Sequence, residues 1–433
     1  MEAECPAGWR LVNLRELGEV NRGRSRHRPR YAEHLYGGPY PFIQTGDVKA
    51  SNGRITSHTQ TYSEAGLAQS RLWPAGTMCI TIAANIAETG ILTFPACFPD
   101  SVVGFIADPN NADVQFIEYM FRFMRSEIQH QATGSVQDNI NIETLERLLF
   151  PLPPLPEQKA IASVLGALDD KIEVNRRMNA TLEAMARALF QSWFVDFAPV
   201  RAKSEGRQPE GMDADTAALF PAEFEDSELG MIPKGWRVGT IQDVSAINNW
   251  TLGKSDNFET LEYIEISEVH SGNIGTISTY LRGDEPSRAR RRLRHGDTVL
   301  STVRPDRGAY FLSLNPPENR VASTGFAVFT PTMVPWSFLH VALTLPDVSD
   351  HLGHMADGGA YPAVRPEIIG AIEIALPDKP IVLNTFHQTC SLLFEQANRN
   401  RDQSRALAAL RDTLLPKLLS GELRVGDLEP LPS

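Results

Sequence analysis

The chain has 433 residues, of which 42% are hydrophobic and 22% charged. This composition suffices for two or three domains and excludes a disordered or collagen-like protein. The sequence has no run of eighteen apolar residues, so a membrane-spanning helix is excluded. The four cysteines are far apart without a C-x-x-C pair, and the N-terminus has no signal-peptide pattern. We therefore expect a cytoplasmic protein.

Charge is distributed unevenly along the chain. The net charge of −12 argues against a nucleic-acid partner only if it is spread evenly. Between Glu205 and Glu228, eight acidic residues accompany a single arginine, which predicts a solvated linker over residues 201–230. Seven arginines lie between Arg10 and Arg30, and eight lie between Arg282 and Arg307. The two basic segments are compatible with a DNA partner.

The sequence repeats itself at a distance of about half the chain. Residues 6–20, PAGWRLVNLRELGEV, recur as PKGWRVGTIQDVSAI at residues 233–247. A period of this length is typical of a duplicated half and is too long for a solenoid. Each globular half, residues 1–151 and 231–377, has short strand-like runs broken by turn residues, which predicts a mixed α+β fold.

Two segments, residues 152–200 and 378–425, have the periodicity of long helices. Apolar residues recur at 3,4 spacing in both, and helices of this kind cannot bury their stripes alone. We expect the two helices to bury each other, with Asn175 facing Asn400 as a polar contact that fixes register; the alternative is two unrelated surface helices. The main seam positions are Leu168, Ile172, Asn175, Leu182, Leu189 and Trp193 in the first helix, and Asn400, Leu407 and Leu414 in the second. Met185, Phe190 and Phe194 are expected to form an outer face that a partner covers.

The run LPPLPEQKAIASVLGALDDK at residues 152–171 resembles the specificity subunit of type I restriction-modification enzymes. The resemblance covers the whole chain. It implies two target-recognition domains, each reading one half of a bipartite site in double-stranded DNA, separated by two long antiparallel helices as a coiled-coil spacer. It also implies docking of two methyltransferase subunits and two motor-nuclease subunits.

The sequence has no convincing catalytic motif. Asn315-Pro316-Pro317 is similar to the tetrapeptide of adenine methyltransferases, but Glu318 replaces the aromatic residue. Gly253-Lys254-Ser255 lacks the earlier glycine of a phosphate-binding loop, and the histidines have no ligand spacing. We therefore expect no catalytic residue, no metal and no cofactor. The alternatives to a specificity subunit are a coiled-coil protein adaptor and a single-chain DNA methylase or nuclease.

Two basic, glycine-containing loops follow the repeated opening at equivalent positions. Glycine allows close backbone approach, and arginine or lysine supplies charge for phosphate contact. The alternative is an ordinary solvated loop. The candidates for DNA contact in these loops are Arg22, Arg24 and Ser25 in the first half, and Lys254 and Ser255 in the second.

Further candidates precede the long helices or lie in the second basic segment. Glutamine is suited to bidentate contact with adenine, and Gly-Ser-x-Gln loops lie beside DNA in the family that the chain resembles. The alternatives are an ordinary turn before a strand and a solvated arginine face. The candidates are Ser135, Gln137, Asn139 and Tyr361 in the pre-helix loops, Arg288 and Arg290 for phosphate contact, and Arg304 and Arg307 for base contact.

Overall fold

A computed structural model describes residues 5–27, 29–133, 140, 142–253, 255–357 and 362–427. The chain divides into two units, and each boundary falls inside a long helix. The first unit comprises residues 1–173 and 405–433, and the second comprises residues 174–404. Each unit therefore combines one globular half with part of each long helix. Among the described residues, no helix has both the length and the apolar character needed to cross a membrane.

The first unit is built on a five-stranded mixed sheet. The strands of the whole unit are β1 (Arg10–Val12), β2 (Gly18–Arg22), β3 (Tyr36–Phe42), β4 (Gly53–Ile55), β5 (Gln60–Tyr62), β6 (Met78–Thr81), β7 (Thr89–Leu92), β8 (Val102–Ala107) and β9 (Phe150–Leu152). Its helices are α1 (Thr45–Ala50), α2 (Glu64–Ala68), α3 (Val114–Thr133), α4 (Ile142–Arg147) and the first part of α5 (Leu155–Phe190). The sheet order is β2-β8-β6-β7-β4, with only β4 and β7 parallel. The apolar face of α3 buries Phe116 and Phe121 in the core of this unit.

The second unit contains two four-stranded sheets. Its strands are β10 (Phe224–Ser227), β11 (Gly230–Pro233), β12 (Trp236–Thr240), β13 (Ser245–Ile247), β14 (Thr260–Ile264), β15 (Val269–His270), β16 (Asn273–Ile274), β17 (Ser278–Leu281), β18 (Ala289–Arg292), β19 (Asp297–Ser301), β20 (Tyr310–Ser313), β21 (Arg320–Ser323), β22 (Phe326–Pro331) and β23 (Glu373–Pro377). Its helices are the rest of α5, α6 (Ala198–Ser204), α7 (Ala214–Ala218), α8 (Ile241–Val244), α9 (Trp336–Leu343), α10 (Pro346–Met355), α11 (Pro366–Gly370) and part of α12 (Pro380–Leu419). The sheet orders are β13-β22-β19-β20 and β17-β14-β21-β18.

The internal repeat corresponds to a repeated strand topology. In the first unit β1 pairs antiparallel with β9, and in the second β12 pairs antiparallel with β23. A short helical turn follows each opening strand, and a side-chain cap begins it: Asn13 with Glu16 in one copy, Thr240 with Asp243 in the other. The antiparallel order β2-β8-β6-β7 in the first unit recurs as β13-β22-β19-β20 in the second. The mixed α+β duplication is therefore confirmed.

The long helices run antiparallel within each unit. In the second unit, the Asn175 side-chain amide donates to the Asn400 carbonyl oxygen at 3.3 Å and to the Gln403 side chain at 2.9 Å. Asn179, four residues after Asn175, donates to the carbonyl oxygen of Ala397, three residues before Asn400, at 3.1 Å. The two helices therefore run in opposite directions. The Asn175–Asn400 contact is the one that the periodicity predicts. Every seam residue named from the sequence is buried or half-buried.

Two aromatic residues expected on an outer face of the first helix are instead in the core. Phe190 and Phe194 are 3% and 5% exposed, and the Phe194 ring meets that of Phe338 edge-on at 4.9 Å. The prediction was wrong for these two residues because the helix lies against the globular part of the second unit, which periodicity does not reveal. Met185, at 53%, is exposed as expected.

The acidic segment at residues 201–230 is not a purely solvated linker. It contains α7 and begins the β10–β11 hairpin. Phe220 is 2% exposed and meets the ring of Trp193 at 5.1 Å. The acidic side chains remain outside while one aromatic residue anchors the segment, so composition alone gave the wrong prediction here.

Candidate nucleic-acid interface

The structure places some of the DNA-contact candidates and leaves others out. Ser135, Gln137, Asn139, Lys254 and Tyr361 lie outside the described residues. The remaining candidates fall on the end of β2 and the loop after it in the first unit, and on three segments of the second: the Ser255 loop, the β18 segment and the β19–β20 loop.

The last residue of β2 and the loop after it present two arginines to solvent. The Gly23 backbone N–H donates to the Val102 carbonyl oxygen at 2.8 Å, and that of Arg24 donates to the Phe98 carbonyl oxygen at 3.1 Å. A Cβ atom on Gly23 would clash with the backbone of Phe98, so glycine is needed for this close approach. The side chains of Arg22 and Arg24 are exposed on either side of this anchor. Both therefore remain candidates for phosphate contact.

Ser25 does not belong to the exposed part of the same loop. Its side chain is only 7% exposed. This burial contradicts the prediction of direct DNA contact, because the loop turns the residue after Arg24 towards the protein. The neighbouring Arg24 carbonyl oxygen also accepts a hydrogen bond from the Ser70 hydroxyl at 2.9 Å, which fixes this turn.

In the second unit, the loop that carries Ser255 lies beside the arginine-rich strand β18. The Leu252 N–H donates to the Arg290 carbonyl oxygen at 2.8 Å, and the Arg292 N–H donates to the Trp250 carbonyl oxygen at 3.1 Å. Ser255 and Arg288 are both exposed. Two segments that sequence analysis singled out separately therefore form one surface.

Carboxylates neutralise part of this arginine cluster. Arg290 pairs with Glu285 at 3.2 Å, and Arg292 pairs with Asp256 at 2.9 Å. Burial lowers the pKa of the Arg291 guanidinium, although it remains charged at neutral pH. The exposed Arg288 is consequently a stronger candidate for phosphate contact than Arg290.

An aromatic residue that sequence analysis missed belongs to this surface. Trp250 is 39% exposed, and the Arg294 guanidinium lies 3.0 Å from the centre of its ring. Stacked arginine and tryptophan side chains are common in nucleic-acid interfaces. The run of arginines between residues 282 and 307 marked this segment in the sequence, but nothing local to it pointed to an aromatic partner about forty residues before Arg294.

Arg304 and Arg307 lie in the β19–β20 loop (residues 302–309). Arg304 has a left-handed backbone with φ of 47°, and its N–H donates to the Pro362 carbonyl oxygen at 2.8 Å. Pro362 directly follows the candidate Tyr361. Arg307 is exposed at the loop tip. The structure thus brings this loop next to the end of the second pre-helix segment.

A single turn, residues 323–325, is hydrogen-bonded both to the segment of Arg288 and to the β19–β20 loop. The Thr324 N–H donates to the Arg288 carbonyl oxygen at 2.8 Å. The next residue, Gly325, accepts a hydrogen bond from the Thr302 N–H at 2.9 Å, two residues before Arg304. Arg288 and Arg304 therefore approach the same turn from two sides. The arrangement offers cationic groups spread over a surface, which suits a nucleic-acid backbone better than a small ligand.

The chain is similar to known proteins over nearly its whole length. Residues 6–184 match the family model described as the type I restriction modification DNA specificity domain. The chain is 25% identical over 438 residues to the type I restriction enzyme MjaIX specificity subunit of Methanocaldococcus jannaschii, covering 98% of this chain and 96% of that one. It is also 25% identical over 378 residues to the HindI specificity subunit of Haemophilus influenzae, covering 74% and 80% respectively.

A solved structure has the same fold. The crystal structure of the type I restriction-modification S subunit from M. genitalium superposes with a TM-score of 0.54 at 15% identity, covering 96% of this chain and 98% of that one. Together, the matched family model, the full-length relative and the shared fold agree with the resemblance seen in the helical run. The chain is thus similar over nearly its whole length to type I restriction-modification specificity subunits, and residues 6–184 match the model of their DNA specificity domain.

Proposed function

We propose that this chain selects the DNA sequence on which a type I restriction-modification complex acts. Residues 1–151 and 231–377 each read one half of a bipartite site in double-stranded DNA. The observation that carries the proposal is the repeated strand topology, with exposed arginines in each copy: Arg22 and Arg24 in the first unit, and Arg288 and Arg307 in the second. Two similar reading domains on one chain suit two half-sites separated by a gap.

The helical regions have a separate role in this proposal. Residues 152–200 and 378–425 set the distance between the half-sites, and residues 201–230 connect the first helical region to the second recognition domain. The contacts of Asn175 and Asn179 with α12 in the second unit, and the Asp169–Arg411 ion pair in the first, support the pairing of the two helices within each unit. Chemistry on DNA is left to partner subunits: two methyltransferase subunits and two motor-nuclease subunits, in the cytoplasm.

An apolar stripe on α5 supports the docking of a methyltransferase subunit. Val174, Met178 and Met185 are 40%, 41% and 53% exposed. Their spacing of four and seven residues puts them on one side of the helix, away from the seam with α12. Exposed apolar side chains in a row are typical of a protein-binding face.

Replacing both Met178 and Met185 by glutamate should weaken methyltransferase binding. We expect a loss of at least tenfold in affinity, about 1.4 kcal/mol, because two carboxylates would be buried against an apolar partner. Titration of the purified methyltransferase subunit by calorimetry measures the loss. Ala180→Glu is the matched control, because Ala180 is exposed on another side of the same helix. Equal affinities for all three proteins would rule out this docking face.

DNA binding by the assembled complex tests the phosphate contact of Arg24. Arg24→Gln should reduce affinity for all sequences alike and lower the slope of log K against log salt by about one, since one phosphate contact is lost. Fluorescence anisotropy over a salt series measures the slope. Arg30→Gln is the control, because Arg30 pairs with Asp100 at 2.9 Å and its charge is already compensated. Identical slopes for the two variants would remove Arg24 from the interface.

A further inference from the structure

The first unit has a loop that corresponds to the β19–β20 loop of Arg304 and Arg307. It is the β6–β7 loop, residues 82–88. Its closing hydrogen bond runs from the Thr81 N–H to the Glu88 carbonyl oxygen at 2.9 Å, and its counterpart runs from the Ser301 N–H to the Ala309 carbonyl oxygen at 2.8 Å. The flanking strands are equivalent in the repeated sheet order. The two loops are therefore the same structural element in two copies.

The segment that precedes each long helix docks on the corresponding loop in the same way. The Ile140 N–H donates to the Ile82 carbonyl oxygen at 3.0 Å, and the Val364 N–H donates to the Thr302 carbonyl oxygen at 2.8 Å. Ile140 directly follows the first group of pre-helix candidates, and Val364 comes three residues after Tyr361. Each unit therefore joins a pre-helix segment to a strand-connecting loop.

The tips of the two loops have the same unusual backbone. Ala84 has a φ of 46° and Arg304 a φ of 47°, and Asn85 follows Ala84 with a φ of 48°. Left-handed backbone is unfavourable for alanine and arginine, and such conformations cluster at binding sites. The α3 side chain of Gln129 donates to the Ile86 carbonyl oxygen at 2.9 Å and holds the loop in place.

The first loop presents one polar group that can read a base. Asn85 is exposed, and its Oδ1 accepts a hydrogen bond from Lys49 Nζ at 3.3 Å. That contact orients the amide and leaves its N–H groups directed away from the lysine. An asparagine amide can donate a hydrogen bond to a base edge and accept one from it, whereas an arginine guanidinium can only donate. Sequence analysis passed over residues 82–88 because they contain no arginine or lysine.

We infer that Asn85 is a specificity-determining residue for the first half-site, in the loop that corresponds to the β19–β20 loop of the second. The inference rests on the proposed function and adds to it a named residue of the first recognition domain. Lys49 positions the Asn85 amide and supplies a charge for the neighbouring phosphate.

Asn85→Gly provides the test. Glycine keeps the left-handed backbone without strain and removes only the amide, so the loop retains its shape. The variant is expressed with its methyltransferase in a host whose methylome is then sequenced. We expect one position of the first half-site to relax, with discrimination there about 10- to 100-fold lower, while the second half-site and the gap are unchanged. Ala84→Gly is the matched control: it relieves the adjacent backbone and should leave the motif intact.

The outcomes separate this inference from the function on which it rests. A wild-type complex that gives no bipartite motif would contradict the proposed function itself. A wild-type bipartite motif that Asn85→Gly reproduces at full discrimination would overturn only the role of Asn85. Relaxation of the motif by Ala84→Gly to the same degree would also overturn it, since loop shape rather than the amide would then be responsible.

Discussion

Replacing Arg122 by alanine should destabilise the first unit by about 3–5 kcal/mol. Arg122 lies on α3 and pairs with Glu118 at 3.1 Å, where the Glu118 side chain is only 3% exposed. The guanidinium also pairs with Asp169 of α5 at 3.5 Å, and Asp169 pairs with Arg411 of α12 at 2.6 Å. Removing Arg122 leaves a buried carboxylate without its main partner, which is the costly way to break a buried ion pair.

The same variant should show a distinctive pH dependence. Burial raises the pKa of Glu118, and the charge of Arg122 opposes that rise. Without Arg122 the pKa in the folded state moves further above the unfolded value. A carboxyl group with a raised folded-state pKa stabilises the fold when protonated, and this stability is lost as pH rises through that pKa. The stability deficit of the variant should therefore be smaller at pH 5 than at pH 8.

Urea unfolding of the full chain at both pH values measures these effects. Arg30→Ala is the control, since the exposed Arg30–Asp100 pair should contribute less than about 1 kcal/mol. Similar small losses for the two variants would contradict the structural importance of the Arg122 network. A deficit for Arg122→Ala that grows towards pH 5 would contradict the account of Glu118.

Lengthening both long helices by one heptad should lengthen the gap between the half-sites by about three base pairs. Seven residues add about 10.5 Å at 1.5 Å per residue, and a heptad preserves the phase of the seam. Insertions after Ile172 and after Leu407 leave the existing seam contacts intact because the helices are antiparallel. Asp169 and Arg411 stay together at one end of the inserted turns, and Asn175 and Asn400 stay together at the other end. No recognition loop changes, so the same bases should be read.

The doubly extended chain also rotates one half-site by roughly 100° relative to the other, and some affinity is lost unless the DNA twists to compensate. Methylome sequencing measures the gap. Insertion into one helix alone is the control, and it should abolish modification because the two seams no longer match. An unchanged gap with undiminished methylation by the doubly extended chain would show that the helices do not set the distance.

Features encoded locally were predictable from the sequence. The repeated opening predicted the duplicated sheet, and the 3,4 spacing predicted the covered face of both long helices, including the contact of Asn175 with Asn400.

Features that depend on distant partners were not predictable. Phe190 and Phe194 looked like an outer stripe because periodicity cannot show that a globular core covers them. Trp250 became a candidate only when folding placed Arg294 over its ring. Asn85 was not predictable because its loop contains no arginine or lysine, and the correspondence of that loop to the β19–β20 loop appears only in hydrogen bonding and backbone geometry.

The most direct test of the central proposal is to sequence the methylome of a host that carries this chain together with its methyltransferase subunit. A host that carries the methyltransferase alone serves as the control. Two reading domains on one chain predict a single bipartite motif, two short specific sequences separated by a non-specific gap of fixed length, modified only when the chain is present. A continuous motif, or the same modification without the chain, would contradict the account.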